Sequence, residues 1–147
     1  TGWRAVAFND STWRTGGAQL GYGDGDEKTI VRFGKSSNKH ITTYFRRSFN
    51  VASSSAYTAL TLRLLRDDGA VVYLNGVEVF RSNMPSGTVT YTTRASTAVG
   101  GANESSFFST AISPTRLVNG TNVLAIEVHQ SDPTSSDLSF DLDLTGQ

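Results

Sequence analysis

Three short segments gather side chains able to do chemistry. Asp67-Asp68-Gly69 sets two carboxylates side by side, and adjacent carboxylates suit a hard cation such as Ca²⁺, which takes about six to eight oxygen ligands. The same tripeptide also makes a polar turn without any ligand, because Asp bonds its own backbone and Gly takes the left-handed position. Gly23-Asp24-Gly25-Asp26-Glu27 is a second acidic, flexible loop. Asp24 and Asp26 are its candidate metal ligands, although the loop lacks the full EF-hand pattern. His129-Gln130, the loop 131–136 and Asp137 form the third and most polar concentration. Its groups donate and accept hydrogen bonds, as a site for a hydroxyl-rich ligand requires. Among Trp3, Trp13, Tyr22, Tyr44, Tyr73 and Phe80, which could stack on such a ligand, Tyr22 in its glycine-rich loop is the expected exposed platform.

Other chemistries lack their residues. The two histidines, His40 and His129, fall at no metal-ligand spacing with each other, which argues against zinc. There is no Gly-x-Ser-x-Gly, no phosphate-cradling glycine loop opening a helix and no His-Glu-x-x-His. The expectation is a protein without enzyme activity of its own. A small lyase or hydrolase ranks last among the alternatives, because no acids stand in a recognisable catalytic arrangement.

At 147 residues the chain has the length of one domain, 1–147, able to bury a core without staples. Thirteen basic residues balance thirteen acidic ones, and no basic run exists to meet a phosphate backbone, so nucleic acid is not an expected partner. No stretch approaches the roughly 20 apolar residues of a membrane span, and no signal-like segment opens the chain. Cysteine is absent, so thiols tell nothing of the compartment. The wealth of Ser, Thr, Gly, Asn and Val points to a secreted, extracellular all-β protein, expected to be a monomer and to have arrived mature or excised.

Strands must position the polar segments. Residues 57–66 place Leu60, Leu62 and Leu64 on one face with Thr61 and Arg63 on the other, the period of two of a half-buried strand. Asn75-Gly76 between valine-rich runs predicts a two-residue type I′ hairpin within 70–81. In it Val72, Leu74, Val77 and Val79 are expected on one face, with Val71, Tyr73, Glu78 and Phe80 on the other, either covered by a loop or exposed as an aromatic platform. Further strands are predicted over 28–34, 41–51, 87–93, 105–112, 121–129 and 138–144. Ser113-Pro114 predicts one short helical turn. Many strands and almost no helix indicate an antiparallel β-sandwich of the jelly-roll kind.

Three stretches carry a resemblance: Phe8-Asn9-Asp10-Ser11-Thr12-Trp13 with Leu20-Gly21-Tyr22-Gly23; Asp67-Asp68-Gly69-Ala70-Val71-Val72-Tyr73-Leu74-Asn75-Gly76; and the run from Val118-Asn119-Gly120-Thr121-Asn122 to Val128. Together they resemble the galactose-binding-like β-sandwich, found as the sugar-binding domain of family 2 glycoside hydrolases and in carbohydrate-binding modules and accessory domains of secreted bacterial enzymes. The resemblance implies a non-catalytic carbohydrate-binding module with a polysaccharide or oligosaccharide ligand and an attached catalytic domain. It also implies a structural Trp13 under the sheet and a calcium ion somewhere in the domain. The aspartate pair in addition resembles that of PA14-type lectin domains, where calcium bridges sugar hydroxyls. The expected carbohydrate site is therefore Tyr22, Asp67, Asp68, His129, Gln130 and Asp137. The alternative is a spacer or docking domain of a multidomain secreted hydrolase, which an apolar patch on Tyr73 and Phe80 would favour.

Overall fold

Alternating apolar positions need a second sheet to bury them, and the chain supplies two. The computed structural model describes residues 2–147. Its strands are β1 (Leu20–Tyr22), β2 (Thr29–Ile30), β3 (Gly34–Lys35), β4 (Asn38–Lys39), β5 (Thr42–Val51), β6 (Leu60–Asp67), β7 (Gly69–Leu74), β8 (Val77–Ser82), β9 (Phe108–Ile112), β10 (Gly120–His129) and β11 (Leu138–Gly146). One sheet runs β2-β1-β11-β6-β9 and the other β5-β10-β7-β8, while β3 and β4 form a separate ribbon. All pairings are antiparallel except the short β1–β2 contact. Helical structure among the described residues is confined to single 3-10 turns, including Pro114–Arg116, whose Ser113 hydroxyl accepts the Thr115 N–H.

The core lies between the sheets. Leu60, Leu62, Leu64, Leu138 and Phe140 from one sheet meet Val72, Leu74, Leu124, Ile126 and Val128 from the other. A buried leucine or valine contributes about 1.5–3 kcal/mol relative to exposure, so this alternation drives the fold. Asn75 and Gly76 take the positive φ angles, 52° and 83°, that a type I′ turn demands. The turn is tied to β10: the Asn75 side chain accepts the Val123 N–H at 2.9 Å and donates to Asn122 Oδ1 at 2.8 Å.

The hairpin departs from strict alternation. A register shift at Val72/Tyr73 sets Phe80 opposite Val72, so Phe80 packs beside Val79 on the main core rather than on the outer face. Val77 is 41% exposed at the tip. The outer face is not a free platform: Val71, Tyr73 and Ala125 form a second buried cluster beneath Trp3, Met84 and Val89. The Tyr73–Phe80 patch therefore does not exist, because one ring is covered and the other turns inward.

A buried arginine, not hydrophobicity alone, holds the cover in place. Arg46 on β5 pairs with Asp10 at 2.9 Å and donates to the carbonyls of Trp3, Ala5 and Phe8. The strand expected over 87–93 is a loop instead, closed by a turn in which Thr93 N–H reaches the Thr90 carbonyl at 3.0 Å. Trp13 does not pack under a sheet. It lies half-buried edge-on to Phe8, 5.8 Å between ring centres.

Candidate functional site

Both steps where the chain crosses between sheets around the aspartate pair occur at one end of the sandwich. Asp67 ends β6 in the first sheet and Gly69 opens β7 in the second. At the same level β10 ends at His129, opposite Gly69, and loop 130–137 returns the chain to β11, whose Ser139 stands opposite Asp67. The β1–β2 loop and the long connection 83–107 converge on the same end, as the bonds described next show.

Asp68 organises this end. One carboxylate oxygen accepts the Val99 N–H at 2.6 Å and the other the Ser131 N–H at 2.7 Å, so a single side chain ties two loops together. Asn83 caps its carbonyl at 3.1 Å and also bonds Thr97. Gln130 donates to the Tyr22 hydroxyl and to the Asp137 carbonyl, both at 2.7 Å. Asp67 is 1% exposed, and its Oδ1 has no hydrogen-bond partner among the described residues. Burial, then the hydrogen bond and charge of Asp68 and the charges of Asp137 and Glu104, push its carboxyl up to about 9. Asp24 reaches the same centre by accepting the Ser139 hydroxyl at 2.6 Å. Burial, together with Asp137 and Asp26, raises its carboxyl against the pull of Ser139.

Of the residues expected to form a site, Tyr22, Asp24, Asp67, Asp68, Gln130 and Asp137 are brought together. His129 is not. It projects to the opposite face of β10, where Nε2 lies 3.1 Å from Glu127 and Nδ1 bonds the Thr93 carbonyl at 2.6 Å. Arg4 completes that group from above Glu127. Three expectations of exposure are corrected. Tyr22 is not an open platform but a core residue packed on Phe33. Asp67 and Asp68 are not a surface turn, because two sheets and two loops close around them. His129 and Gln130 are wholly buried, not on a rim: loop 83–99 covers the side of His129, and Gln130 lies between Tyr22 and Asp137.

The acidic loop itself is arranged around Glu27, which accepts the N–H groups of Asp24 and Gly25 at 2.8 and 3.0 Å. Asp24, Asp26 and Glu27 hold carboxylate oxygens within 4.8 Å of one another. Ser139, Asn83 and Glu104 belong to the centre but carry no local signal in the sequence. Each joins it only through pairing or loop return. A buried carboxyl with an unpartnered oxygen either keeps its proton or exchanges it for a cation, and the nearby carboxylates of Asp24 and Asp137 add oxygen ligands of the kind Ca²⁺ takes.

An all-β domain of two packed sheets with an acidic centre at its loop end is the class these features define. No family model matches the chain, and no curated protein sequence matches it. Solved structures do resemble it in fold. Bacteroides uniformis β-glucuronidase 2 aligns over 99% of this chain and 16% of its own, with a TM-score of 0.63 at 19% identity. A glycosyl hydrolase family 2 member from Bacteroides cellulosilyticus aligns over 97% and 18%, with a TM-score of 0.57 at 14% identity. Another β-glucuronidase of Bacteroides uniformis gives 95% and 16%, 0.56 and 16%. The chain thus spans less than a fifth of each of these proteins.

Proposed function

We propose that the chain is a non-catalytic, galactose-binding-like jelly-roll module that retains an attached secreted polysaccharide-degrading enzyme on its glycan. The observation that carries this reading is the match of nearly the whole chain to a domain-sized share of larger glycosidases. A module of this kind works through effective concentration, holding a catalytic partner near its substrate by shallow contacts. Asp67, Asp137 and Asp24 would hold a calcium ion, with Asp68 positioning the loops around it. Calcium would offset the clustered negative charge and brace the loops that carry the accessible rim. Sugar-contacting groups then come from the accessible rim, where Arg94 and Asp132 pair at 3.5 Å with both side chains about half exposed.

Burial of Tyr22, Asp67, Asp68, His129 and Gln130 favours one rival, a spacer or docking domain in which the same network is purely structural. Pull-down on insoluble polysaccharides and a glycan array, with calcium and with EDTA, separate the two. Retention lost in EDTA supports the calcium-assisted module. Retention kept in EDTA leaves a glycan module without that mechanism, and no retention in either buffer assigns the chain to the spacer class.

A further inference from the structure

The sandwich is open along one flank. β11 pairs with β6 from Ser139 to Gly146, but with β1 only from Leu138 to Phe140. Beyond Phe140 no strand among the described residues pairs with the edge of β11 that faces β1. The chain that could have continued β1 backwards turns away: Thr29 donates to the Gly17 carbonyl at 2.7 Å, and the Gln19 carbonyl accepts the N–H groups of Lys28 and Thr29. One strand edge is therefore missing a partner over Asp141–Thr145. The Leu142 N–H, which an adjacent strand would take, is met instead by the carboxylate of Asp141, at 2.7 Å.

Behind this vacancy lies a groove of about 700 Å³. Phe45 and Phe140, stacked 4.3 Å apart, form its floor with Ile126, Leu142 and Leu144, and the strap 10–18 with Trp13 forms its roof. Leu142, Leu144, Phe45 and Phe49 border the core yet remain only partly buried. Across the groove β5 is itself an edge strand, paired among the described residues only with β10. Arg14 and Arg47 stand at the mouth, exposed, and neither forms an ion pair among the described residues.

We propose that this flank is a strand-acceptor site. An extended segment of a partner protein lies antiparallel to Asp141–Thr145, in line with β1, and completes the sheet. Its alternate apolar side chains enter the groove, and acidic residues at its ends meet Arg14 and Arg47. Main-chain hydrogen bonds supply affinity in such strand addition and the alternate pockets supply specificity. Five residues of strand span about 17 Å, and the groove volume falls in the range of roughly 300–1,000 Å³ that holds a discrete ligand. The inference stands on the sheet edge and groove alone and does not depend on the glycan reading.

The test uses the full 147-residue chain, labelled with ¹⁵N, and an acetylated, amidated peptide of valines alternating with threonines between terminal aspartates. Saturable shifts at the Leu142 and Leu144 amides, with hydrogen exchange there slowed about tenfold, are expected. Charge reversal at the exposed Arg14 and Arg47 together is expected to weaken binding about five- to tenfold without altering the fold. Leu144→Asp should abolish it. No amide shift at millimolar peptide overturns the proposal. Laurate in a parallel titration tests the other occupant: shifts of the floor methyls with laurate, and none at the amides with peptide, would make the groove an amphiphile pocket and equally overturn it.

Discussion

At the loop end, polar side chains are buried and tie the loops to the sheets, whereas along the flank apolar side chains stay half-exposed beneath a strap. The side chains of Asp68, Gln130 and Tyr22 share in four hydrogen bonds that tie the loops to the sheets. The flank groove offers stacked rings and leucines with an unpaired strand edge. The difference teaches where rigidity and receptivity sit. Buried polar networks fix loops in one arrangement because an unmade bond costs about 1–3 kcal/mol. An open apolar edge costs little to leave open and gains when covered.

That contrast can be broken at several points. Arg46→Ala should have the largest effect, about 3–5 kcal/mol by urea unfolding, because it strips the strap of its anchor and leaves three carbonyls without their charged donor. Asp68→Ala should cost about 2–4 kcal/mol, since the Val99 and Ser131 N–H groups lose their acceptor together. A loss below 1 kcal/mol would mean that the loops hold themselves.

Asp67 gives the comparison a pH axis. Between the unfolded carboxyl value of about 4 and the folded value of about 9, the folded chain binds one proton more than the unfolded chain. In EDTA, stability should therefore fall as pH rises through this window, by up to about 1.4 kcal/mol per unit, and level off above about 9. Asp67→Asn should flatten the profile, and calcium should flatten it in the wild type if the centre takes the ion. Thermal unfolding between pH 5 and 9 reads both. Leu142→Ala on the flank should cost only about 1 kcal/mol or less, its side chain being half in solvent already. Smallest of all, Arg63→Ala should leave the midpoint unchanged, because the Arg63–Asp143 pair lies open to water.

Much of the sandwich was legible in the residues. Leu60, Leu62 and Leu64, the Asn75-Gly76 turn and the 121–129 and 138–144 alternations lead to strands β6, β7, β8, β10 and β11 with boundaries off by only a few positions. Periodicity failed where two faces are buried. Val123, Glu127 and His129 lie on the face of β10 away from the main core and are nonetheless buried, with Arg4 reaching Glu127 and the Thr93 carbonyl meeting His129 from segments far off in the chain. The threonines of 87–93 imitate a strand, but loop anchoring by Asp68 and Asn83 prevails over propensity. For the loop end the sequence picked out the right acids and misjudged their exposure. Nothing local distinguishes an aspartate pair at a surface turn from one at a crossing between sheets. The role of Arg46, in mid-strand among polar neighbours, had no signature, and neither did the short β1 that leaves the flank open.

The anchoring of the N-terminal cover also has a mechanical side. Segment 2–18 contributes no strand and is fastened to the outer face of one sheet through the Arg46 guanidinium, the Arg4–Glu127 pair and the packing of Trp3 on Tyr44 and Tyr73. Tension applied from that side of the chain would peel this segment before any strand is sheared. The release would lengthen the chain by roughly 50–60 Å while both sheets stay intact. Such a yielding first stage would act as a shock absorber ahead of the sandwich.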